Sequence, residues 1–501
     1  MGLSFSNSLK RSSIIDDIKF AFLSRPIVVI LAISTLVRIV FHFFILPNSP
    51  SGFGPDEGTY GALAKYVSQG LPVEEFPSYG AGLYNSAKSI TLPSAFLVQL
   101  GMGELSAVRT IASIYGLASS LVLALCYLAV LRLRSQTFDK SSPIFDRTFL
   151  VLLVIFTFFP SNFVWSIIGL RESGSQFWLI TTFYLILKLL NSAGRDLWKF
   201  TGLCSLALTL AHGTRPETAL VFSLIALLAS IVLLVKFRKF FPLIAILLGV
   251  FAGQAFTTSP QVVAEESLSA FKIIKPKLIQ SATPKPVVSN QSATPKPVYT
   301  LEAKPNDSAS VKCTQESAVV QFEGNKFLCK ISNTYRVIER NPTKTLENKI
   351  LTTQILENKR NVNTTDALSA LPMSDCQGLS RDIFLLTKCN LSELPYRLFA
   401  FLFRPLIFFD EGSATLTLAA LENLGWMVLV PISVWASLRK RENTVDRFIS
   451  LGLTACVLLF ASAAALYEGN LGTAFRHKST ILWPLIFILM IAPSNLPKLK
   501  R

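Results

Sequence analysis

Two adjacent carboxylates, Asp56 and Glu57, lie in "GFGPDEGTYGALAKYVSQG", just after the first long apolar run of the chain. A positioned carboxylate can take a proton from a nearby hydroxyl, so either acid has the chemistry of a general base. Further polar residues gather in short segments between apolar ones. "WSIIGLRESGSQFW" carries Arg171 and Glu172, and "AHGTRPETAL" carries His212, Arg215 and Glu217. "LYEGNLGTAFRHKST" adds Glu468, Asn470, Arg476, His477 and Lys478, and "LFRPLIFF" adds Arg404. Acids that abstract protons and cations that stabilise anions are two halves of one kind of site, and together they read as a shared polar cavity. Taken singly, each has a plainer reading. Two acids in the first turn of a helix are stabilised by its exposed amides, and a lone Lys478 or Arg404 can simply reach lipid headgroups.

What must position these residues follows from composition. The chain has 501 residues, 51% hydrophobic, with 38 phenylalanines, more apolar surface than one soluble core uses. The expectation is an all-α polytopic membrane protein with ten spans. They fall over residues 26–46, 104–131, 148–165, 173–190, 200–211, 218–235, 240–257, 415–438, 448–467 and 479–492. Lys and Arg concentrate in alternate connections, which places both termini in the cytoplasm and the acidic and basic segments above on the opposite side. The net charge of +17 is then mainly a topology signal, and nucleic acid is discounted as a partner. The first apolar run is too long for a cleavable signal and is expected to remain as an anchor. The expected location is an integral one, in a bacterial inner (plasma) membrane, with the site facing the periplasm or exterior.

The opening stretch reads as a short amphipathic helix on the outer membrane surface. Pro55 suits its first position, Tyr60, Leu63, Ala64 and Val67 follow at helical spacing, and Gly70 is the stop. Within the first span, Arg38 and His42 are four apart and share a face. Arg38 either lines a cavity or reaches up to headgroups.

Residues 258–394 break the membrane pattern and separate an N-terminal module, 1–257, from a C-terminal one, 395–501. This outer loop begins with a repeat, QSATPKP at 280–286 and again at 291–297, the composition of an extended spacer. "SAVVQFEGNKFLCKIS" then alternates about a Gly-Asn turn and predicts a β-hairpin. Four cysteines lie in the loop, Cys313, Cys329, Cys376 and Cys389. An even number in an oxidising compartment suggests two disulfides in any of three pairings, with unpaired thiols in a mobile loop as the plainer reading.

"DEGTYGALAKYVSQG" resembles the first-loop signature of the C-type glycosyltransferase superfamily. These polytopic enzymes include protein O-mannosyltransferases and lipid A aminoarabinose transferases. In that signature an Asp-Glu pair precedes a Tyr, here Tyr60. "SITLPSAFLVQLGMGELSAVRTIASIYGLASSLVLAL" is similar to the family's next segment, with Arg109 matching its arginine. "GLRESGSQFWLITTFYLILK" resembles the second outer motif and "LTLAHGTRPETAL" the Thr-Arg-Pro corner. The likeness covers residues 25–260. Only Pro93 remains of the double proline common before Gly101, and the loop of 258–394 has no counterpart.

The resemblance implies inverting transfer of a hexosyl or pentosyl group from a polyprenyl-phosphate carrier to a lipid, glycan or protein acceptor on the outer side, among membrane lipids. Asp56 is then the base, Glu57 its alternate, and Glu172 a third carboxylate that orients the acceptor or, with Asp56, holds a divalent cation, Mg or Mn. Arg215, Arg476, His477 and Lys478 would stabilise the departing lipid phosphate, with Arg404 joining them. Tyr60, Arg109, Arg171, His212, Glu217, Glu468 and Asn470 complete the expected binding set. The rival is a transporter or flippase of lipid-linked sugars, though the charges stand at the rim rather than the bilayer midplane and the spans show no repeat. A scaffold whose loop binds a partner would leave the rim acids without a task.

Overall fold

The computed structural model describes residues 13–46, 55–73, 76, 80–134, 146–257, 319–323, 326–331, 334–339, 349–352, 391, 394–406, 414–439, 443–467 and 471–492. The chain divides into two compact units, Met1–Ala270 with Met373–Arg501, and Phe271–Pro372. In the second unit the strands β1 (Val319–Glu323), β2 (Lys326–Ile331), β3 (Thr334–Glu339) and β4 (Lys349–Thr352) form an antiparallel sheet in sequence order. β1 and β2 pair Val320 with Leu328 across 324 and 325, the hairpin expected from the alternating pattern. Cys313, Cys376 and Cys389, and the side chain of Cys329 on β2, lie outside the described residues.

The first unit is helical. It runs α1 (Ile14–Leu23), α2 (Arg25–Val40) with a π-helical turn at Phe41–Ile45, α3 (Pro55–Ser68), α4 (Gly80–Asn85), α5 (Lys88–Gln99) and α6 (Glu104–Leu133). Next come α7 (Arg147–Phe158), α8 (Pro160–Ile167), α9 (Arg171–Asn191), α10 (Arg195–His212), α11 (Pro216–Phe237) and α12 (Phe241–Thr257). After the sheet stand α13 (Leu394–Phe403), α14 (Ala414–Leu438), α15 (Thr444–Tyr467), α16 (Leu471–Lys478), a 3-10 turn at Ser479–Ile481 and α17 (Leu482–Met490). Local chemistry sets the boundaries. Proline opens α2, α8 and α11, where its missing amide is not needed. The Asp146 side chain accepts from the Phe149 amide at 2.7 Å to start α7. Gly70 takes φ +71 just past α3, a conformation that a side chain would oppose.

Among the described residues, five helical segments are long and apolar enough to cross a membrane: Arg25–Ile45, Glu104–Leu133, Pro216–Val235, Ala419–Leu438 and Thr444–Leu466. The span expected over 148–165 is instead two helices, α7 and α8, bent by 48° at Pro160, and would make a sixth if counted as one. The remaining expected spans are also helices, α9, α10, α12 and α17, but do not meet that measure of length and apolarity. Packing explains why two of them depart from the pattern. α9 tolerates Glu172, Ser173, Ser175 and Gln176 because these are buried against protein, and the short α17 is sheathed along nearly all its length.

Close approach of small residues lets the helices lock. A methyl group on Gly116 of α6 would stand 2.5 Å from Ser166 Cβ on α8, and one on Gly253 of α12 would stand 2.6 Å from the His212 ring of α10. Beside Gly116, Arg38 of α2 is buried; it donates to Ser34 and, at 2.9 Å, to Ser166 Oγ, with its guanidinium 4.8 Å from the Phe163 ring centre. Of the two expected roles for Arg38, headgroup contact does not describe this buried placement; its hydrogen bond to Ser166 ties α2 to α8. At the opposite end Arg134 of α6 bridges Asp446 of α15 at 2.9 Å and the Ile491 carbonyl at 2.8 Å.

Candidate active site

Helix α3 begins at Pro55, so Asp56 and Glu57 sit in its first turn and point to different neighbours. Glu57 is fully buried and forms an ion pair with Arg109, itself buried on α6. Asp56 keeps its side chain 44% exposed and pairs with Arg476 of α16. This contact spans 420 positions of sequence and joins the first outer segment to the last.

A third ion pair lies within electrostatic reach of the Asp56–Arg476 pair. Glu172, in the first turn of α9, accepts from Arg215 at 2.9 Å, both nearly without solvent contact. Arg215 precedes α11, where Pro216 opens the helix. Arg171, next to Glu172 in sequence, donates to Ser86 Oγ at 3.0 Å and to the Ser86 carbonyl at 3.2 Å. Arg476, Arg171 and His477 lie within electrostatic reach of Glu172, and Tyr60, one turn beyond Asp56, feels Arg171, Glu172, Asp56 and Arg215. Burial pushes the Tyr60 phenol up to about 12, so it stays a neutral hydrogen-bonding group. Burial alone would lower Arg476, but the neighbouring Glu172 and Asp56 carboxylates more than offset it and hold the guanidinium firmly charged. The exposed Glu217 stands within reach of Arg171 and Arg215.

The assembled cluster thus contains Asp56, Tyr60, Arg171, Glu172, Arg215 and Arg476, with His477 and Glu217 at its border. Three guanidiniums face two inner carboxylates, a cation excess suited to an anion. It suits a divalent cation poorly. Both acids expected to hold Mg or Mn already accept from an arginine, and among the described residues no three His, Cys, Asp or Glu side chains gather at metal-binding distance.

Other expected site residues stand elsewhere. Arg109 pairs with Glu57 and so holds the acid-bearing turn of α3 against α6. His212 is fully buried against Gly253, and neither ring nitrogen hydrogen bonds to any described residue. It is a packed histidine at the α10–α12 contact. Arg404 is half-buried at the end of α13, where its carbonyl accepts from Lys478. Glu468 and Asn470 lie outside the described residues.

Lys478, expected as a phosphate-binding cation, is fully buried and donates to the Asn423 side chain at 2.7 Å and to the carbonyls of Arg404 and Leu402 at 2.9 and 3.3 Å. Its three ammonium hydrogens are all used inside the protein, so it ties α16 to α13 and α14. Nothing in the sequence around Asn423 or Ser86 marks either as the partner of a charged residue fifty or more positions away. Burial lowers Lys478 to about 7, with Glu422 acting against the shift. In the unfolded chain this lysine would titrate near 10.4. Between about pH 7 and 10 the unfolded state then holds the extra proton, so wild-type stability is expected to rise across that window. The gain is at most about 1.4 kcal/mol per pH unit. Thermal unfolding of wild type and Lys478→Met from pH 6 to 9 checks this: the wild-type midpoint should climb relative to the variant, and parallel curves would refute it.

The long apolar helices are compatible with an integral membrane protein. Compared with protein-family models, curated proteins and solved structures, the chain matches none of them.

Proposed function

We propose that this chain is an integral-membrane glycosyltransferase that moves a sugar from a polyprenyl-phosphate carrier to an acceptor hydroxyl at the outer membrane face. The observation carrying this reading is the Asp56–Arg476 pair, a half-exposed acid held against an arginine beside a buried group of further arginines. A transfer of this kind needs one base and a fixed anion-stabilising field, and both are present within one cluster.

In the proposed reaction the donor phosphate takes Arg476 from Asp56, aided by Arg215 and Arg171. The freed Asp56 carboxylate accepts the acceptor's hydroxyl proton while that oxygen bonds to the anomeric carbon and the carbon–oxygen bond to phosphate breaks. The electron pair leaves on the polyprenyl phosphate, where the guanidiniums stabilise it. In this reading Glu172 keeps Arg215 oriented, and Tyr60 supplies a neutral hydroxyl to a sugar or phosphate oxygen. Both roles depend on rigidity supplied by α3, α9 and α16.

The test is reconstitution. Full-length protein in proteoliposomes is given a radiolabelled polyprenyl-phosphate sugar pool from a host envelope extract with endogenous acceptors. Label passing to an acceptor, and lost in Arg476→Gln, is the expected result. Donor that crosses the bilayer without any glycosylated product would overturn the reading in favour of transport.

A further inference from the structure

The N-terminal helix α1 carries an inference independent of the proposed reaction. Its rotation is fixed from the inside. Asp17 is fully buried, pairs with Arg132 of α6 and with Lys188 of α9 at 3.0 Å, and accepts from the Tyr184 hydroxyl at 2.6 Å. Ala21, one turn further on, is buried on the same side. The helix start is secured separately: Ser13 and Asp16 form a reciprocal capping box.

Holding that face inward turns the other outward. Ile15, Phe22 and Leu23 are 62%, 54% and 80% exposed, with the exposed Lys19 between them on the same arc. Three large apolar side chains shown to water on a ten-residue helix would be unfavourable, and a buried ionic clamp that enforces such exposure would make no sense in water. The arc is also continuous with another apolar surface. Through Ser24 it runs into the outer face of α2, where Val29, Ile33 and Leu36 are exposed on a helix long and apolar enough to span a bilayer. At the corner stands the exposed Arg25.

We propose that α1 is an interfacial helix whose outer face docks into the lipid leaflet on the side of the N-terminus, with Lys19 and Arg25 taking the headgroups of anionic phospholipid. The apolar arc enters the acyl boundary while the two cations stay level with the phosphates. Asp16, the one acid on that side of the helix, has its carboxylate hydrogen bonded by the Ser13 amide and hydroxyl, with Lys19 within electrostatic reach of it. The Asp17 clamp ties this helix to α6 and α9.

Photo-crosslinking tests this with the full-length protein in nanodiscs of mixed neutral and anionic phospholipid. p-Benzoylphenylalanine is placed at position 22 and, in a second variant, at position 15. The expected product at both positions is a lipid adduct in which anionic lipid exceeds its share of the bilayer. Lys19→Gln is expected to lower that enrichment roughly fivefold, as removing one surface lysine's attraction should. Hydrogen exchange on the unmodified protein gives a second readout, since residues 14–23 should exchange more slowly in anionic than in neutral nanodiscs. Crosslinks to protein or solvent alone would overturn the docking. Lipid adducts and exchange rates indifferent to headgroup charge would overturn the anionic preference.

Discussion

Asp56→Asn is expected to slow sugar transfer by about 100- to 10,000-fold, the span of a lost general base, while leaving the fold intact and donor binding tighter. The reasoning starts from the ion pair. Asp56 is 44% exposed, and the largely buried Arg476 keeps the Glu172 carboxylate within electrostatic reach, so replacing Asp56 with a neutral amide of the same shape leaves no uncompensated buried charge. Arg476 meanwhile loses the anion that occupies it and becomes available to the donor phosphate. An exposed ion pair competes with at most about 1 kcal/mol, which corresponds to roughly fivefold tighter donor binding. Arg476→Gln should act in the opposite sense on binding, because it removes the cation and not its competitor. Equilibrium binding of polyprenyl phosphate, measured beside initial transfer rates on the same proteoliposomes, separates the two effects. If Asp56→Asn weakened donor binding as Arg476→Gln does, the proposed exchange of partners would be wrong even if transfer were lost.

The second large effect falls on stability. Glu57→Ala is expected to destabilise the protein by about 3–5 kcal/mol, because Arg109 would remain charged inside α6 with no counterion. For a membrane protein purified in detergent that loss shows as a lower thermal midpoint and a collapse in folded yield. The double variant Glu57→Ala with Arg109→Leu should recover much of it, since no unpaired buried charge is then left. A single variant as stable as wild type, but inactive in transfer, would instead make Glu57 the base and Asp56 its neighbour. Thermal denaturation followed by size-exclusion chromatography reads the stability loss and its recovery, and transfer by the same variant in proteoliposomes reads the alternative.

Much of this molecule was legible in its residues. The apolar runs gave helices at nearly all the expected places, because a stretch of Leu, Ile, Val and Phe has few other ways to satisfy its backbone. Pro55 and Gly70 delimited α3 closely, since both act through their own backbone geometry. The hairpin of β1 and β2 followed from alternation about a turn. The broken span was less legible: a proline at 160 inside an apolar run was read through, although it bends the axis by 48°. The stretch 173–190 reads as an ordinary span, yet at the start of α9 Glu172, Ser173, Ser175 and Gln176 are buried against protein.

At the candidate site the division is sharper. Residue types alone marked Asp56, Glu172, Arg215 and Arg476 as able to abstract a proton or stabilise an anion, because that capacity belongs to a side chain wherever it stands. Which acid meets which cation is another matter. Asp56 and Glu57 are chemically near-equivalent neighbours, yet a helical step of about 100° sends one toward Arg476 and the other into α6 against Arg109. Lys478 and His212 differ in the same way from Arg476, buried by helices that lie far off in sequence. Composition and short-range pattern determine the elements, since their forces act over a few residues. Pairing and burial are decided only when distant helices pack, because ion pairs depend on distances of a few ångströms that no local pattern encodes.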